Sequence, residues 1–300
     1  MTPPLLLADK TILITGAAGG IGAASAAALH ARGANIVLAD LTQDAVDKVA
    51  DQLGRTRTLP LAVDVTDSRS LAEAVEQSVD RFGSLDVVFA NAGIAADPPA
   101  TVATIDPGEF ERIVEVDLLG VWRTVRAALP HIIGSRGHVL VTASVYAYFN
   151  GTVNAPYAMS KAGVEQLGRA LRTELAIHGA TAGVLYPGWV KTPIARAAFG
   201  DNDLVTRMRE QLYPTFLGSA IHPDAVAARV ADGIEKRSPR IMVPRRWEPI
   251  SALRGILNPL TDLLLDRNTK LHDLLRELET RTGKQTTLCS AHNDSGAHDE

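Results

Sequence analysis

The chain is poor in cysteine. Cys289 is its single thiol, so no internal disulfide can form and no cysteine-built zinc or iron–sulfur centre is available; no metal site is expected. Nothing demands an oxidising compartment, and a cytoplasmic location is the expectation. A basic excess is missing too. The 30 Lys and Arg face 34 Asp and Glu, for a formal net charge of −4, which argues against a nucleic-acid partner. There is no run of about 18 apolar residues to span a bilayer. The opening stretch, MTPPLLLADK, lacks the basic start and apolar core of a secretory signal. A soluble protein with no integral membrane segment is expected.

Apolar residues, by contrast, make up 46% of the 300, enough to bury a sizeable core. Short apolar runs at 11–14, 35–39, 59–63, 85–89, 138–141, 182–185 and 241–243 are bounded by Gly, Asp or Asn and are too short for helices. Between them, helical periods run over 21–32, 42–53, 68–82, 107–129, 155–178 and 223–236, with Pro130 as the stop of the fourth. Strands apolar throughout imply burial on both faces. The pattern therefore predicts an α/β fold: a doubly wound, seven-stranded parallel sheet flanked by helices, of Rossmann type, in one domain over 8–245. Beyond it, Ile250, Leu253, Ile256, Leu257, Leu260, Leu263 and Leu264, then Leu271, Leu274, Leu275 and Leu278, recur at steps of three and four. That spacing predicts one or two amphipathic helices over 246–282. The Thr-, Ser-, His- and Asp-rich stretch 283–300 reads as a disordered tail.

Thr15-Gly16-Ala17-Ala18-Gly19-Gly20-Ile21-Gly22 joins the first strand to the first helix. Glycines there let the backbone turn sharply and approach a pyrophosphate at a helix N-terminus; a tight turn without ligand is the plainer alternative. Asp40 ends the second strand, where a carboxylate can accept from both adenosine ribose hydroxyls and repel a 2′-phosphate. No basic residue occurs at 41–47. NAD is therefore expected over NADP, unless Asp40 only caps the next helix.

Ser144 follows the fifth strand, Tyr157 comes thirteen residues later, and Lys161 one helical turn beyond it. Residues at i and i+4 share a helix face. An adjacent ammonium favours phenolate, so the tyrosine's pKa is expected to fall towards neutrality. Such a group can exchange a proton with an alcohol oxygen during hydride transfer, with the serine bonding the same oxygen.

Taken together, these residues resemble the short-chain dehydrogenases/reductases of the ~250-residue type. The likeness covers 8–245 and rests also on Asp64-Val65, Asn91-Ala92-Gly93 and Pro187-Gly188-x-Val190-x-Thr192. It implies that Asp64 and Val65 contact the adenine and that Asn91, Ala92 and Gly93 support the sheet beside the cofactor. It implies that Tyr157 is the general acid/base, that Lys161 binds the nicotinamide ribose, and that Ser144 positions the substrate oxygen. Val190 and Thr192, after the Pro187-Gly188 turn, would hold the carboxamide. One position departs from the pattern. The family's Val-Asn-Leu-x-Gly reads Val116-Asp117-Leu118-Leu119-Gly120 here. Asp117 keeps the backbone carbonyl that serves the lysine-linked water but cannot donate from its side chain. The expectation is that it preserves the relay, so it is counted in the catalytic set.

The family's substrate lid would cover 192–220, which holds Ile194, Ala195, Ala198, Phe199, Leu204, Met208, Leu212, Tyr213, Phe216 and Leu217; Tyr146, Tyr148 and Phe149 lie near Ser144. As a lining these suit a lipophilic secondary alcohol or ketone, of steroid, retinoid or fatty type; equally, they could pack the lid's own core. The C-terminal helices could pack on a neighbouring subunit, cover the active site, or lie on a membrane surface. The expected function is an NAD-dependent oxidoreductase working as a homo-oligomer. The alternative is a catalytically weak dinucleotide-binding regulatory or scaffold protein.

Overall fold

The computed structural model describes residues 3–192, 194–195, 203–212 and 215–294, with no side-chain detail at 215, 216 or beyond 281. Seven strands form one parallel sheet: β1 (Thr11–Thr15), β2 (Asn35–Asp40), β3 (Thr58–Ala62), β4 (Val87–Ala90), β5 (His138–Thr142), β6 (Thr181–Pro187) and β7 (Arg240–Val243). Their order is β3-β2-β1-β4-β5-β6-β7, with β1 in register against β2 from Thr11 with Asn35 to Thr15 with Ala39. The chain reverses its direction of travel between β1 and β4. In an open parallel sheet, that point leaves a crevice at the carboxyl ends of the strands.

The flanking helices are α1 (Gly20–Ala31), α2 (Gln43–Leu53), α3 (Ser68–Phe82), α4 (Pro107–Val114), α5 (Val121–Gly134), α6 (Ala155–Glu174), α7 (Asp203–Leu212) and α8 (Pro223–Glu235). Alternate strand residues supply two cores. Leu13, Val37, Val88 and Val139 face α3, α5 and α6 through Leu71, Val125 and Val164. Ile12, Ile36, Phe89 and Leu140 face α1, α2 and α8 through Leu29, Val46 and Val230. This double burial is the reason the strands read as unbroken apolar runs.

The fourth helix differs from the sequence reading in two ways. A π-helical turn, Glu115–Gly120, separates α4 from α5. One widened turn hardly disturbs apolar spacing, so periodicity does not reveal it. Pro130 does not stop α5, which continues to Gly134. Proline removes only its own N–H bond, and the last turn is held by the fully buried Ile132 and by Ser135 N–H on the His131 carbonyl.

Two further helices follow β7: α9 (Glu248–Leu265) and α10 (Thr269–Asp294). The second continues past Thr282 into the stretch expected to be a disordered tail; no proline follows Pro259 to interrupt it. Among the described residues no helix is long and apolar enough to cross a membrane.

Candidate active site

The glycine loop lies at the carboxyl end of β1, packed against its surroundings at backbone distance. Gly16 has φ +67°, and a Cβ there would come within 2.9 Å of Ala92 Cα. At Gly22 a Cβ would fall 2.0 Å from the Gly16 carbonyl oxygen, so the first turn of α1 rests directly on the loop. No side chain caps α1 and no acidic residue lies in its first turn. Its free N–H groups and positive end therefore face the crevice. Asn91 holds the neighbouring strand ends together. Its N–H donates to Thr15 Oγ1 at 3.0 Å, its side-chain amide to the Thr15 carbonyl at 3.2 Å, and its Oδ1 accepts from Thr142 at 3.1 Å.

Asp40 reaches across to the same loop. Oδ2 accepts from Ala18 N–H and Oδ1 from Leu41 N–H, both at 2.8 Å. The N-cap of α2 is Thr42, so Asp40 caps no helix. Asp64 Oδ1 accepts from the backbone and hydroxyl of Thr66 at 2.8 and 2.7 Å, which fixes the turn that presents Val65. Together these residues surround a cleft of about 530 Å³. Gly16, Gly20, Ile21, Asp40, Asp64, Val65, Asn91, Ala92, Gly93, Ser144, Tyr157, Lys161, Pro187, Gly188, Val190 and Thr192 all line it. Gly22 and Asp117 lie behind its wall. An elongated nucleotide fits this cradle: missing Cβ atoms and free helix N–H groups for a pyrophosphate, and a carboxylate beyond for a ribose.

The proton-handling groups converge at the far end. Ser144 Oγ accepts Tyr146 N–H at 3.2 Å and donates to the Pro187 carbonyl at 3.5 Å. Tyr157 lies in the first turn of α6, close enough to Ser144 for the serine hydroxyl to favour its phenolate. One turn on, Lys161 Nζ lies 5.2 Å from the Tyr157 ring centroid. Its ammonium is 3.0 Å from Asp117 Oδ2, and both side chains are buried. Contrary to the sequence expectation, the phenol's pKa is raised. Burial pushes it up, Lys161 pulls it down, Asp117 pushes it up again and Ser144 pulls it down. The sequence showed the cation, but not the burial that outweighs it nor the carboxylate of Asp117 set against it.

Tyr146 lines the cleft as expected, whereas Trp189 and Arg112, also in its lining, escaped sequence reasoning. Trp189 and Tyr146 form an aromatic wall: Tyr146 stands edge-on to Tyr157 at 5.8 Å and to Trp189 at 5.9 Å between ring centroids. Arg112, held by a two-pronged contact to Glu109 at 2.8 Å, also borders the cleft. Tyr148 and Phe149, expected at the substrate, turn away. The Tyr148 hydroxyl meets Met242 Sδ at 3.7 Å, and Phe149 stands edge-on to Trp247. An apolar side chain next to Ser144 can face either cleft or core, and here the C-terminal extension supplies the core.

Of the lid residues, Ile194 and Ala195 line the cleft. Leu204 and Met208 instead pack with Val153, Leu271 and Leu278, with Leu212 partly buried against them; Leu217 lies in the main core. Ala198, Phe199, Tyr213 and the Phe216 side chain fall outside the described residues. The two C-terminal helices thus pack on their own chain. Arg254 of α9 pairs with the buried Glu165 of α6 through two contacts of 2.8 Å, and Asn258 donates to the Tyr148 carbonyl at 2.8 Å.

A family model described as short chain dehydrogenase matches residues 10–203. The cis-4-hydroxycyclohexanecarboxylate dehydrogenase of Sinomonas cyclohexanicum is 34% identical over 227 residues, covering 75% of this chain and 88% of its own. Among solved structures, the 3-ketoacyl-(acyl-carrier-protein) reductase of Brucella melitensis complexed with NADH is 27% identical. It superposes with a TM-score of 0.70 over 79% of this chain and 97% of its own. The alcohol dehydrogenase of the archaeon Thermococcus sibiricus complexed with 5-hydroxy-NADP is also 27% identical, with a TM-score of 0.67 over 78% and 95%.

Proposed function

The chain belongs to the short-chain dehydrogenases, oxidoreductases of hydroxyl and carbonyl groups, and on that footing we propose that it uses NAD to interconvert a lipophilic secondary alcohol and its ketone. The observation that carries the reading is the meeting of Ser144, Tyr157 and Lys161 at one end of a cleft whose other end is the glycine loop. The nicotinamide, when bound, gives or takes the hydride. Lys161 and Thr192 would hold it, Asp40 the adenosine ribose, and the first turn of α1 the pyrophosphate. Ser144 orients the substrate oxygen and Tyr157 exchanges a proton with it. Tyr146, Trp189 and Ile194 keep water from the reacting carbon and favour apolar substrates.

The preference for NAD rests on Asp40 and on the lack of a cation at 41–47. The lid over 192–220, a cytoplasmic location and a homo-oligomer complete the proposal. The exposed stripe Leu253, Ile256 and Leu260 on α9 supports a subunit contact, and light scattering tests it; a monomer that sediments with vesicles would move that stripe to a membrane surface. The scaffold alternative finds nothing missing from the proton-handling set to recommend it.

The deciding experiment is a parallel fluorescence titration with NADH and NADPH, followed by turnover of cyclic and steroidal alcohols. Tight NADH and weak NADPH binding are expected, with Tyr157→Phe abolishing turnover while cofactor binding persists. NADPH preference would overturn the cofactor assignment, and unimpaired turnover by Tyr157→Phe would overturn the mechanism.

A further inference from the structure

Residue 117, where the chain departs from the family pattern, makes the most consequential contact in the site. The π turn delivers a carboxylate to the catalytic lysine: Asp117 Oδ2 lies 3.0 Å from Lys161 Nζ, with the side chains 0% and 3% exposed. Asp117 Oδ1 accepts Ile94 N–H at 2.7 Å. Gly93 leaves the room, since a Cβ there would stand 3.1 Å from both Oδ2 and Nζ. The groups facing this pair are few. Tyr157 lies beside Lys161 on α6, Ser144 faces it from the end of β5, and Arg112 on α4, itself paired with Glu109, adds a weak pull on Asp117.

A lone ammonium beside a phenol stabilises the phenolate. An ammonium already matched by a carboxylate at contact distance presents little net charge. We propose that Asp117 offsets Lys161 and so, in this buried setting, holds Tyr157 as a phenol at neutral pH, which sets this chain to reduce carbonyls there and to oxidise alcohols only in alkali. In reduction the carbonyl carbon takes the hydride and the Tyr157 hydroxyl gives its proton to the carbonyl oxygen, leaving a phenolate. In oxidation the alcohol proton passes to that phenolate as the carbon–hydrogen bond yields its hydride to the nicotinamide. The phenol is the ready form for the first, the phenolate for the second. Asp117 touches neither substrate nor cofactor and acts through Lys161; it is a positioning residue.

The electrostatics agree. Burial alone would lower Lys161, but Asp117 and then Tyr157 raise it above its ordinary value. Burial raises Asp117 against the pull of Lys161. The amine remains by far the stronger base, so the proton stays on lysine and the pair stays ionised.

The inference rests on the oxidoreductase reading, and the experiment separates the two. Asp117→Asn keeps an acceptor for Ile94 N–H and removes the charge. Asp117→Ser, smaller and still an acceptor, replaces it if the first variant does not fold by circular dichroism. Two readouts are followed against pH: kcat/KM for oxidation of cyclohexanol with NAD, and phenolate absorbance of the cofactor-free protein with the Tyr157→Phe spectrum subtracted. The rising limb of oxidation and the phenol midpoint should both move down by about one pH unit or more, a tenfold gain in oxidation at neutral pH. A phenol midpoint that does not move overturns the role of Asp117, whatever the activity. A midpoint that moves in a protein inert towards every alcohol upholds that role and overturns the function instead.

Discussion

At Gly22 the fit of the cofactor cradle depends on a missing methyl. The atom that a Cβ would strike, the Gly16 carbonyl oxygen 2.0 Å away, belongs to backbone and cannot rotate aside. Gly22→Ala must therefore lift the first turn of α1 off the loop, and NADH affinity should fall tenfold or more with a lowered Tm. Gly19→Ala is the contrast, since a Cβ there meets nothing within 4 Å; its melting should match the parent. Equal NADH affinity in Gly22→Ala and the parent would remove the close-packing argument. A second residue acts on stability. His138 is fully buried, with Nδ1 2.8 Å from Thr181 Oγ1, and burial together with Arg237 pushes it down to about 3. The unfolded chain takes up this proton near its ordinary pKa and the folded chain refuses it. Stability is thus complete above about pH 6.5 and is lost as pH falls towards 3, by up to about 5 kcal/mol. In urea melts His138→Gln should show a shallower decline over that window; an unaltered slope would assign the acid sensitivity elsewhere.

At the scale of elements, the inner strands were legible because they are buried on both faces, as Ile12 and Leu13 are on opposite sides of β1, while the edge strand β3 is only half-buried. The glycine loop and Asp40 were legible because turn chemistry and charge survive in a one-dimensional pattern. The π turn and the passage of α5 through Pro130 were not, since both depend on how Ile132 and Asp117 are buried by distant residues. Nor was the attachment of α9 to α6, which joins residues 89 positions apart. That attachment rests on Arg254, whose guanidinium covers Glu165, 7% exposed in its side chain. Arg254→Leu leaves the carboxylate buried without its cation and should cost about 2 kcal/mol, moderated because Arg254 itself is a third exposed. Removing both charges, in Arg254→Leu with Glu165→Gln, should return most of the loss. A double variant no more stable than the single would show that the arginine contributes by packing alone.

Across the whole molecule, the candidate site gathers residues from Gly16 to Thr192 because the sheet brings its strand ends to one crevice, and strand ends can be placed from sequence. Arg112 and Trp189 went unnoticed since nothing in their own neighbourhood marks an arginine or a tryptophan as facing a cleft. The packing of α7 against α10 was hidden for a related reason, since the two helices lie far apart in the chain. Leu204 and Met208 are fully buried only because Leu271 and Leu278 cover them, while Glu277 lies 3.6 Å from Arg207 and Thr101 donates to Glu279 at 2.9 Å. Among the described residues, none of these contacts touches the glycine loop or Asp40. A chain ending at Asn268 should therefore bind NADH with unchanged affinity. It exposes the apolar face of α7, frees the helix whose Arg209 lies over the Trp189 ring, and loses order where an apolar substrate would be enclosed. Its KM for a lipophilic alcohol should rise several-fold, and hydrogen exchange over 203–212 should accelerate. If the exchange quickens while KM holds, α10 stabilises the lid helix without shaping the substrate pocket; if NADH affinity falls too, its influence reaches the cofactor half of the crevice.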